Sequence, residues 1–214
     1  MTKQGNTIPE NLVQRVRKTQ HGFLDIRKAA DEVVREWPVE ENLRIARELF
    51  ASETYQARSL ATFIFGRLAA VSNEAFAFLK YQVSRDRDWR VQEILAKSLD
   101  RYCADIGYEQ ALPVIREWLS DASPNVRRAV TEGLRIWTNR LFFCDQPETA
   151  IQLLRRLRND ESEYVRKSVG NALRDISKKH RDLVKRELGT WDITDKHIRQ
   201  THKLAGRFLL KTAG

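Results

Sequence analysis

The chain has 214 residues and a formal net charge of +9; 31% of its residues are charged and 42% are hydrophobic. No apolar run reaches the length that spans a bilayer, and the polar N-terminus does not resemble a signal peptide. The excess of positive charge favours a polyanionic partner, with nucleic acid first and an anionic membrane surface second.

The numbers and spacing of cysteine and histidine argue against a disulfide-rich protein and against a metal-binding one. The two cysteines, Cys103 and Cys144, make no disulfide framework, so we expect a reducing cytoplasm, in the vicinity of the nucleoid. The four histidines lack metal-ligand spacing, and there is no glycine-rich phosphate loop. We therefore expect neither a metal nor a cofactor.

Five amphipathic segments follow one another along the chain. The first two fit a shared pattern loosely and the last three align without gaps: residues 22–37, 54–69, 88–101, 123–136 and 162–175. In the last three, Val91, Val126 and Val165 fall in one column, at separations of 35 and 39 residues. An aspartate stands five residues before each of these valines: Asp86, Asp121 and Asp160.

Each of these three segments begins with a helix-start signal. Asp88, Ser123 and Ser162 stand in register where a side-chain oxygen accepts a hydrogen bond from the first turn. Pro124 suits the first helical position. We therefore predict that all three residues cap their helices.

An amphipathic helix also precedes each segment, as at residues 111–121 and 150–160. Helix pairs repeating every 31 to 39 residues predict an all-α solenoid of HEAT-like repeats, because one pair alone cannot bury its apolar face. We expect residues 1–214 to form a single monomeric domain, with a short flexible N-terminus at residues 1–6. Basic helices at about residues 181–214 are expected to cap the last repeat.

Helical spacing sorts each second helix into faces. The core columns are Val91/Val126/Val165, Leu95/Val130/Val169 and Leu99/Leu134/Leu173. The polar stripe between them is Glu93/Arg128/Lys167, Lys97/Glu132/Asn171 and Asp100/Arg135/Arg174. Second helices commonly line the concave side of a solenoid, so the stripe predicts a basic concave surface interrupted by carboxylates.

The column Gln92, Arg127 and Arg166 has a structural interpretation, because in HEAT repeats such residues hydrogen-bond to aspartates of adjacent repeats. Within the stripe, phosphate contact competes with simple solvation of a charged face, and the net positive charge favours phosphate contact. The residues concerned are Arg128, Arg135, Lys167 and Arg174.

Three segments resemble the HEAT-like DNA glycosylases that excise alkylated bases, the AlkC/AlkD group. "DWRVQEI" is similar to the helix that bears Trp-x-x-x-Asp, with Trp89 and Glu93 in those places. "VRRAVTEGLRIW" resembles an AlkC-type segment, and "YVRKSVGNALRDISKKHRDLV" resembles a late repeat of both branches. The chain departs from the pattern where AlkD-type members carry a second tryptophan, because Asn171 stands there.

The resemblance implies hydrolysis of the N-glycosidic bond of cationic N3- or N7-alkylated purines in duplex DNA, with no need to flip the base into a deep pocket. A carboxylate would stabilise the positive charge developing on the deoxyribose, and a tryptophan face would attract a cationic base. The implied roles are catalytic for Glu93, Glu132 and Asp175, lesion contact for Trp89 and Trp137, and backbone contact for Arg128, Arg135, Lys167 and Arg174.

Two alternatives compete with this interpretation. Locally, Trp89 packs on the preceding repeat, and Glu93 pairs with Arg128 or Lys97. Globally, the chain is a non-catalytic repeat module that binds DNA or an acidic protein partner. The carboxylates of the stripe argue against the global alternative, because they would weaken a purely phosphate-binding wall. Membrane docking is disfavoured because no helix convincingly pairs a lysine-rich face with an exposed apolar one.

Overall fold

The structure is a computed structural model that describes the backbone of residues 8–209 and the side chains of residues 10–209. The predicted flexible N-terminus at residues 1–6 lies outside this range. The chain divides into two compact units, Met1–Asp105 and Ile106–Gly214. Described residues form helices and turns without any β-strand, so the predicted all-helical class is confirmed.

The first unit is built from six α-helices and a short 3₁₀ turn at Val83–Arg85. The helices are α1 (Ile8–Arg17), α2 (Leu24–Glu36), α3 (Val39–Phe50), α4 (Tyr55–Leu68), α5 (Asn73–Tyr81) and α6 (Trp89–Ile106). Helix α4 packs against both α2 and α3. Helices α4 and α6 approach closely at Gly66, where a side chain would not fit: an added Cβ would lie 2.5 Å from Oγ and 3.1 Å from Cα of Ser98.

The second unit continues the alternation of helices. It contains α7 (Leu112–Leu119), α8 (Pro124–Gly133), α9 (Leu141–Asp145), α10 (Pro147–Arg155), α11 (Glu163–Ile176), α12 (Arg181–Gly189) and α13 (Lys196–Ala205). Short 3₁₀ turns span Trp137–Asn139 and Gly206–Phe208. Helix α11 lies between α8 and α13, and α13 approaches so closely that a Cβ on Gly170 would lie 2.6 Å from Cβ of Leu204.

The apolar columns are the core of the repeats, as predicted. Every member of the three columns is at most 1% exposed. Burying a valine or leucine side chain contributes roughly 1.5–3 kcal/mol relative to leaving it in water. Because the columns recur in register on α6, α8 and α11, the same burial is repeated from one helix pair to the next.

In the column of Gln92, Arg127 and Arg166, the predicted bond to an aspartate of the adjacent repeat is confirmed for Arg127, whereas Gln92 donates to the carbonyl oxygens of Val83 and Asp86 at 3.1 and 2.8 Å, just before its own helix. Arg58 donates to Asp86 at 2.6 Å, and Arg127 donates to Asp160 at 2.7 Å. Each arginine also donates to carbonyl oxygens at the entrance of its own helix. Arg166 instead reaches Gln200 of α13 at 2.8 Å.

The predicted helix caps are only partly correct. Asp88 accepts a hydrogen bond from the Arg90 backbone N–H at 2.9 Å, as a cap should. Ser123 and Ser162 stand at the cap positions but their side chains make no capping hydrogen bond. Instead, Asp121 and Asp160 accept from the backbone N–H groups of these serines at 2.8 Å, so the aspartate two residues earlier fixes the turn.

Helix α8 ends earlier than the sequence predicts. The pattern extends to Ile136, whereas the helix stops at Gly133 and Ile136 adopts a left-handed conformation with φ of 55°. The guanidinium group of Arg140 donates to the carbonyl oxygens of Gly133, Arg135 and Ile136 at 2.9, 2.8 and 3.1 Å. These contacts satisfy carbonyls that a helix end leaves unpaired, and they hold the turn.

Candidate nucleic-acid interface

The first candidate region is the start of α6 in the first unit. Trp89 is 66% exposed, which argues against the alternative that its ring is buried on the preceding repeat. Asp88 holds the guanidinium of Arg90 at 2.7 and 2.9 Å, and that guanidinium lies 3.4 Å from the ring centre of Tyr55. The hydrogen bond from Arg90 lowers the pKa of Asp88. The same guanidinium lies 5.7 Å from the centre of the Trp89 ring, which remains largely open to solvent.

Glu93 lies one helical turn after Trp89, on the same side of α6, and is partly exposed. Its carboxylate pairs with Lys97 at 3.2 Å, which is one of the two partners that the sequence suggests. An exposed pair of this kind contributes about 0–1 kcal/mol, so a ligand of suitable charge can replace Lys97 at little cost. The arrangement offers a carboxylate and an aromatic face to the same solvent region.

In the second unit, two of the predicted phosphate contacts are solvent-accessible cations. Lys167 is exposed and pairs with Glu163 at 2.7 Å, again four residues apart. Arg128 is partly exposed and forms no ion pair with any residue between 10 and 209. Both side chains are accessible to an anionic partner.

The other predicted residues of the second unit surround one buried carboxylate. Asp175, whose side chain is 5% exposed, contacts Nε of Arg135 at 3.1 Å, Nη2 of Arg174 at 3.5 Å and Nζ of Lys178 at 3.2 Å. Burial alone would raise the pKa of Asp175, but the contacts from Arg135 and Lys178 outweigh it and hold that pKa below its usual value. We call Arg135, Arg174, Asp175 and Lys178 the Asp175 cluster.

Arg135 reaches this cluster from the turn after α8 and not from a helix face. Glu132, on the last turn of α8, lies 3.9 Å from Nη1 of the same arginine. The structure thus brings together Glu132, Arg135 and Arg174, which the sequence pattern placed in neighbouring columns, and it adds Asp175, which the family resemblance singled out. The early end of α8 explains how Arg135 turns toward α11.

Trp137 requires a correction. The sequence predicts a lesion contact for this residue, but its side chain is 0% exposed and packs edge-on against Phe143, with ring centres 5.0 Å apart. A side chain without solvent-exposed surface cannot touch a bound base. The reason is the turn at Ile136, which redirects the chain so that the indole points into the core.

Lys178 and Phe208 belong to the same surroundings but were not predicted from the sequence. The Phe208 ring centre lies 5.6 Å from the guanidinium of Arg174 and 5.2 Å from Nζ of Lys178. Arg181 holds this ring in place by donating to the carbonyl oxygens of Phe208 and Leu209 at 3.1 and 2.7 Å. The spacing of three residues between Asp175 and Lys178 could have predicted their contact. No sequence pattern predicts that Phe208 packs beside Arg174 and Lys178.

Other kinds of site were also considered within the described part of the chain. Residues 10–209 contain no group of three or more histidine, cysteine, aspartate or glutamate side chains that would hold a metal ion. Cys103 is buried and Cys144 is exposed, and neither forms a disulfide within the described residues. None of the described helices combines the length and apolar character that a membrane crossing needs.

The fold and these side chains define a class: an all-helical repeat protein whose second helices present arginine and lysine side chains. The family follows from comparison with known sequences. A family model described as DNA alkylation repair enzyme matches residues 23–211, so the chain belongs to the DNA alkylation repair enzyme family. The resemblance noted in the three sequence segments is thereby confirmed at the level of the family.

Two individual relatives are similar to different shares of this chain. AlkD2 from Streptococcus mutans shares 46% sequence identity with this chain, and its crystal structure superimposes with a TM-score of 0.91 over 94% of this chain and 96% of AlkD2. The protein YhaZ of Bacillus subtilis is 36% identical over 107 residues, which are 48% of this chain but only 30% of YhaZ.

A more distant structural relative is the alkylpurine DNA glycosylase AlkC of Pseudomonas fluorescens, which was solved bound to DNA containing an abasic site analogue. It is 22% identical, with a TM-score of 0.54 over 95% of this chain and 64% of that chain. At this identity the likeness concerns the fold.

Proposed function

We propose that this protein is a monomeric DNA glycosylase that removes N3- or N7-alkylated purines from duplex DNA. The observation that carries the proposal is the start of α6, where the exposed ring of Trp89 and the partly exposed carboxylate of Glu93 lie one helical turn apart on the same side of the helix. Membership of the DNA alkylation repair enzyme family supports the proposal. The name of AlkC, an alkylpurine DNA glycosylase, suggests the same substrate class.

The reaction needs little from the protein beyond a negative charge beside the deoxyribose, which a carboxylate supplies. Alkylation at N3 or N7 makes the purine cationic, so the bond between C1′ and the base nitrogen breaks with the electron pair leaving on the base. Positive charge then develops on the deoxyribose, and Glu93 stabilises it. A water molecule attacks C1′ and its proton passes to a carboxylate or to solvent. The sequence resemblance implies a catalytic role for Glu132 as well.

Trp89 and the cations have separate roles in this proposal. The exposed indole face attracts the cationic base, an interaction worth roughly 1–2 kcal/mol where water is displaced. Arg128, Lys167, Arg135 and Arg174 contact phosphates, which give affinity without reading the sequence. When DNA binds, Lys167 would exchange Glu163 for a phosphate and Glu93 would exchange Lys97 for the substrate, because exposed ion pairs of this kind are weak.

A second candidate function is DNA binding without catalysis, and one contact favours it. Glu93 already has a cation, Lys97, at 3.2 Å. A carboxylate that keeps this partner in the complex has less negative charge to offer the sugar. In that case α6 would serve only as part of a binding surface.

Release of bases from methylated duplex DNA separates the two candidates. We expect wild type to release methylated purines, and Glu93→Gln to reduce the rate of release by roughly 10²–10³, the usual loss for one electrostatic stabiliser. Glu163→Gln is the matched control, because Glu163 pairs with Lys167 four residues on, as Glu93 does with Lys97. Wild-type binding without release of bases would leave only the non-catalytic function.

A further inference from the structure

We infer that Asp175 is a positioning residue, which arranges Arg135, Arg174 and Lys178 into a preformed cradle for a single phosphodiester group of DNA. This inference rests on the proposed DNA binding and gives Asp175 a different role from the catalytic one that the sequence resemblance implies. It also adds Lys178 to the residues that contact the backbone.

The charges of the Asp175 cluster do not cancel. One carboxylate with a side chain 5% exposed faces two guanidinium groups and one ammonium group, each within 3.5 Å. The Nε–H of Arg174 is buried and has no acceptor among residues 10–209. The cluster therefore has more donors than the carboxylate satisfies, and its net positive charge suits an anion with several acceptor oxygens.

Exposure differs among the cations in a way that suits this role. The side chain of Arg174 is 17% exposed and rests against the Phe208 ring, so it is fixed. The side chain of Lys178 is 56% exposed, and Arg135 is also open to solvent. Buried Asp175 holds one end of each contact; Glu132 lies 3.9 Å from Nη1 of Arg135, and the ammonium group of Lys178 is open to solvent. Cations already held in place lose less conformational entropy on binding.

The turn that delivers Arg135 is strained and is held by a dedicated contact. Ile136 adopts φ of 55°, which is unfavourable for a β-branched residue. Arg140 holds the carbonyl oxygens on both sides of this residue. Strained backbone of this kind persists where the surroundings enforce it, and it is concentrated at functional sites. Here its consequence is the placement of Arg135 on Asp175.

A catalytic role for Asp175 fits the same geometry poorly. A catalytic carboxylate must touch the reacting sugar, whereas both oxygens of Asp175 lie against cations and almost no surface reaches solvent. The depressed pKa also leaves this carboxyl group without a proton at neutral pH, so it cannot serve as a general acid. Positioning of cations remains compatible with all of these features.

The sign of one mutational effect tests the inference. Asp175→Asn removes a negative charge, so simple repulsion predicts tighter binding of an undamaged duplex oligonucleotide. If Asp175 positions the cations, its loss instead weakens binding by about tenfold, the equivalent of one well-formed contact. Asp182→Asn, an exposed carboxylate on α12, is the matched charge control and should bind equally or slightly more tightly.

Single-turnover excision on methylated duplex adds a second readout. We expect Asp175→Asn to raise the protein concentration that gives the half-maximal rate more than it lowers the rate at saturation. Equal or tighter binding by Asp175→Asn, or a loss confined to the rate at saturation, would overturn the inference while leaving the proposed function intact. Failure of wild type to bind DNA would overturn both.

A second pair of variants covers the case in which Asp175→Asn does not fold. Lys178→Ala removes an exposed cation of the cluster, and Lys185→Ala removes an exposed lysine of α12. We expect Lys178→Ala to reduce the slope of log affinity against log salt by about 0.9, the value for one phosphate contact, and Lys185→Ala to leave it unchanged. Equal slopes for the two variants would overturn the inference.

Discussion

The start of α6 and the Asp175 cluster both pair a carboxylate with basic side chains, but the two arrangements suit different functions. At α6, Glu93 and Lys97 form a pair that is open to water and easily exchanged. In the cluster, Asp175 is buried and held by three cations. Burial decides the difference, because water screens the first pair and scarcely reaches the second. An exchangeable carboxylate suits contact with a substrate, and a buried one suits the positioning of its neighbours.

The largest expected effect concerns a buried pair of the repeat scaffold. Arg127→Ala leaves Asp160, whose side chain is 4% exposed, without its cation, and removes donors from two carbonyl groups. Loss of one partner of such a pair costs about 3–5 kcal/mol. Urea unfolding should show this loss, while DNA affinity of the folded protein changes little. A change in affinity larger than the change in stability would place Arg127 in the interface.

Trp89→Ala tests the aromatic half of the α6 region. Because the side chain is 66% exposed, its removal should hardly alter the free energy of unfolding. Affinity for methylated duplex should fall by roughly 1–2 kcal/mol, and affinity for undamaged duplex should fall less. Binding curves for the two duplexes give the comparison. Equal losses on both would mean that the indole contacts DNA without recognising the cationic base.

Lowering the pH tests whether the buried carboxylate of Asp175 is stabilised by its three cations. The depressed pKa of Asp175 makes its carboxylate stabilising above the unfolded value of about 4, and this stability is lost as pH falls through the folded value. The facing groups are Arg135, Arg174 and Lys178, which stay charged, and Glu132 near Arg135. The stability difference between wild type and Asp175→Asn, measured by urea unfolding, should therefore be constant from pH 7 to 5 and shrink below about pH 4. A constant difference down to pH 3 would contradict the assignment.

The smallest expected effect is that of Lys97→Met. This change removes the exposed partner of Glu93 and should alter the free energy of unfolding by less than about 0.5 kcal/mol. Freed of its cation, Glu93 should support excision at least as fast as in wild type. Thermal unfolding and base release measure the two quantities. A slower release would show that Lys97 takes part in the function.

The repeats, the apolar columns and the Arg–Asp hydrogen bonds were predictable because each depends on residue spacing within and between helices. The turn after α8 was not, because the left-handed Ile136 depends on Arg140 donating to carbonyl groups that precede it in the chain. Trp137 was misplaced for the same reason. Phe208 lies beside Arg174 and Lys178, and Arg181 donates to its carbonyl group, a contact between residues 27 apart that no local pattern encodes.

The division between a chemical region and a binding region is tested most directly by single-turnover excision of methylated purines at increasing protein concentration. Glu93→Gln should lower the rate at saturation by roughly 10²–10³ and leave the half-saturating concentration unchanged or lower. Asp175→Asn should chiefly raise the half-saturating concentration. Identical behaviour of the two variants, or the reverse assignment of the two effects, would contradict the division.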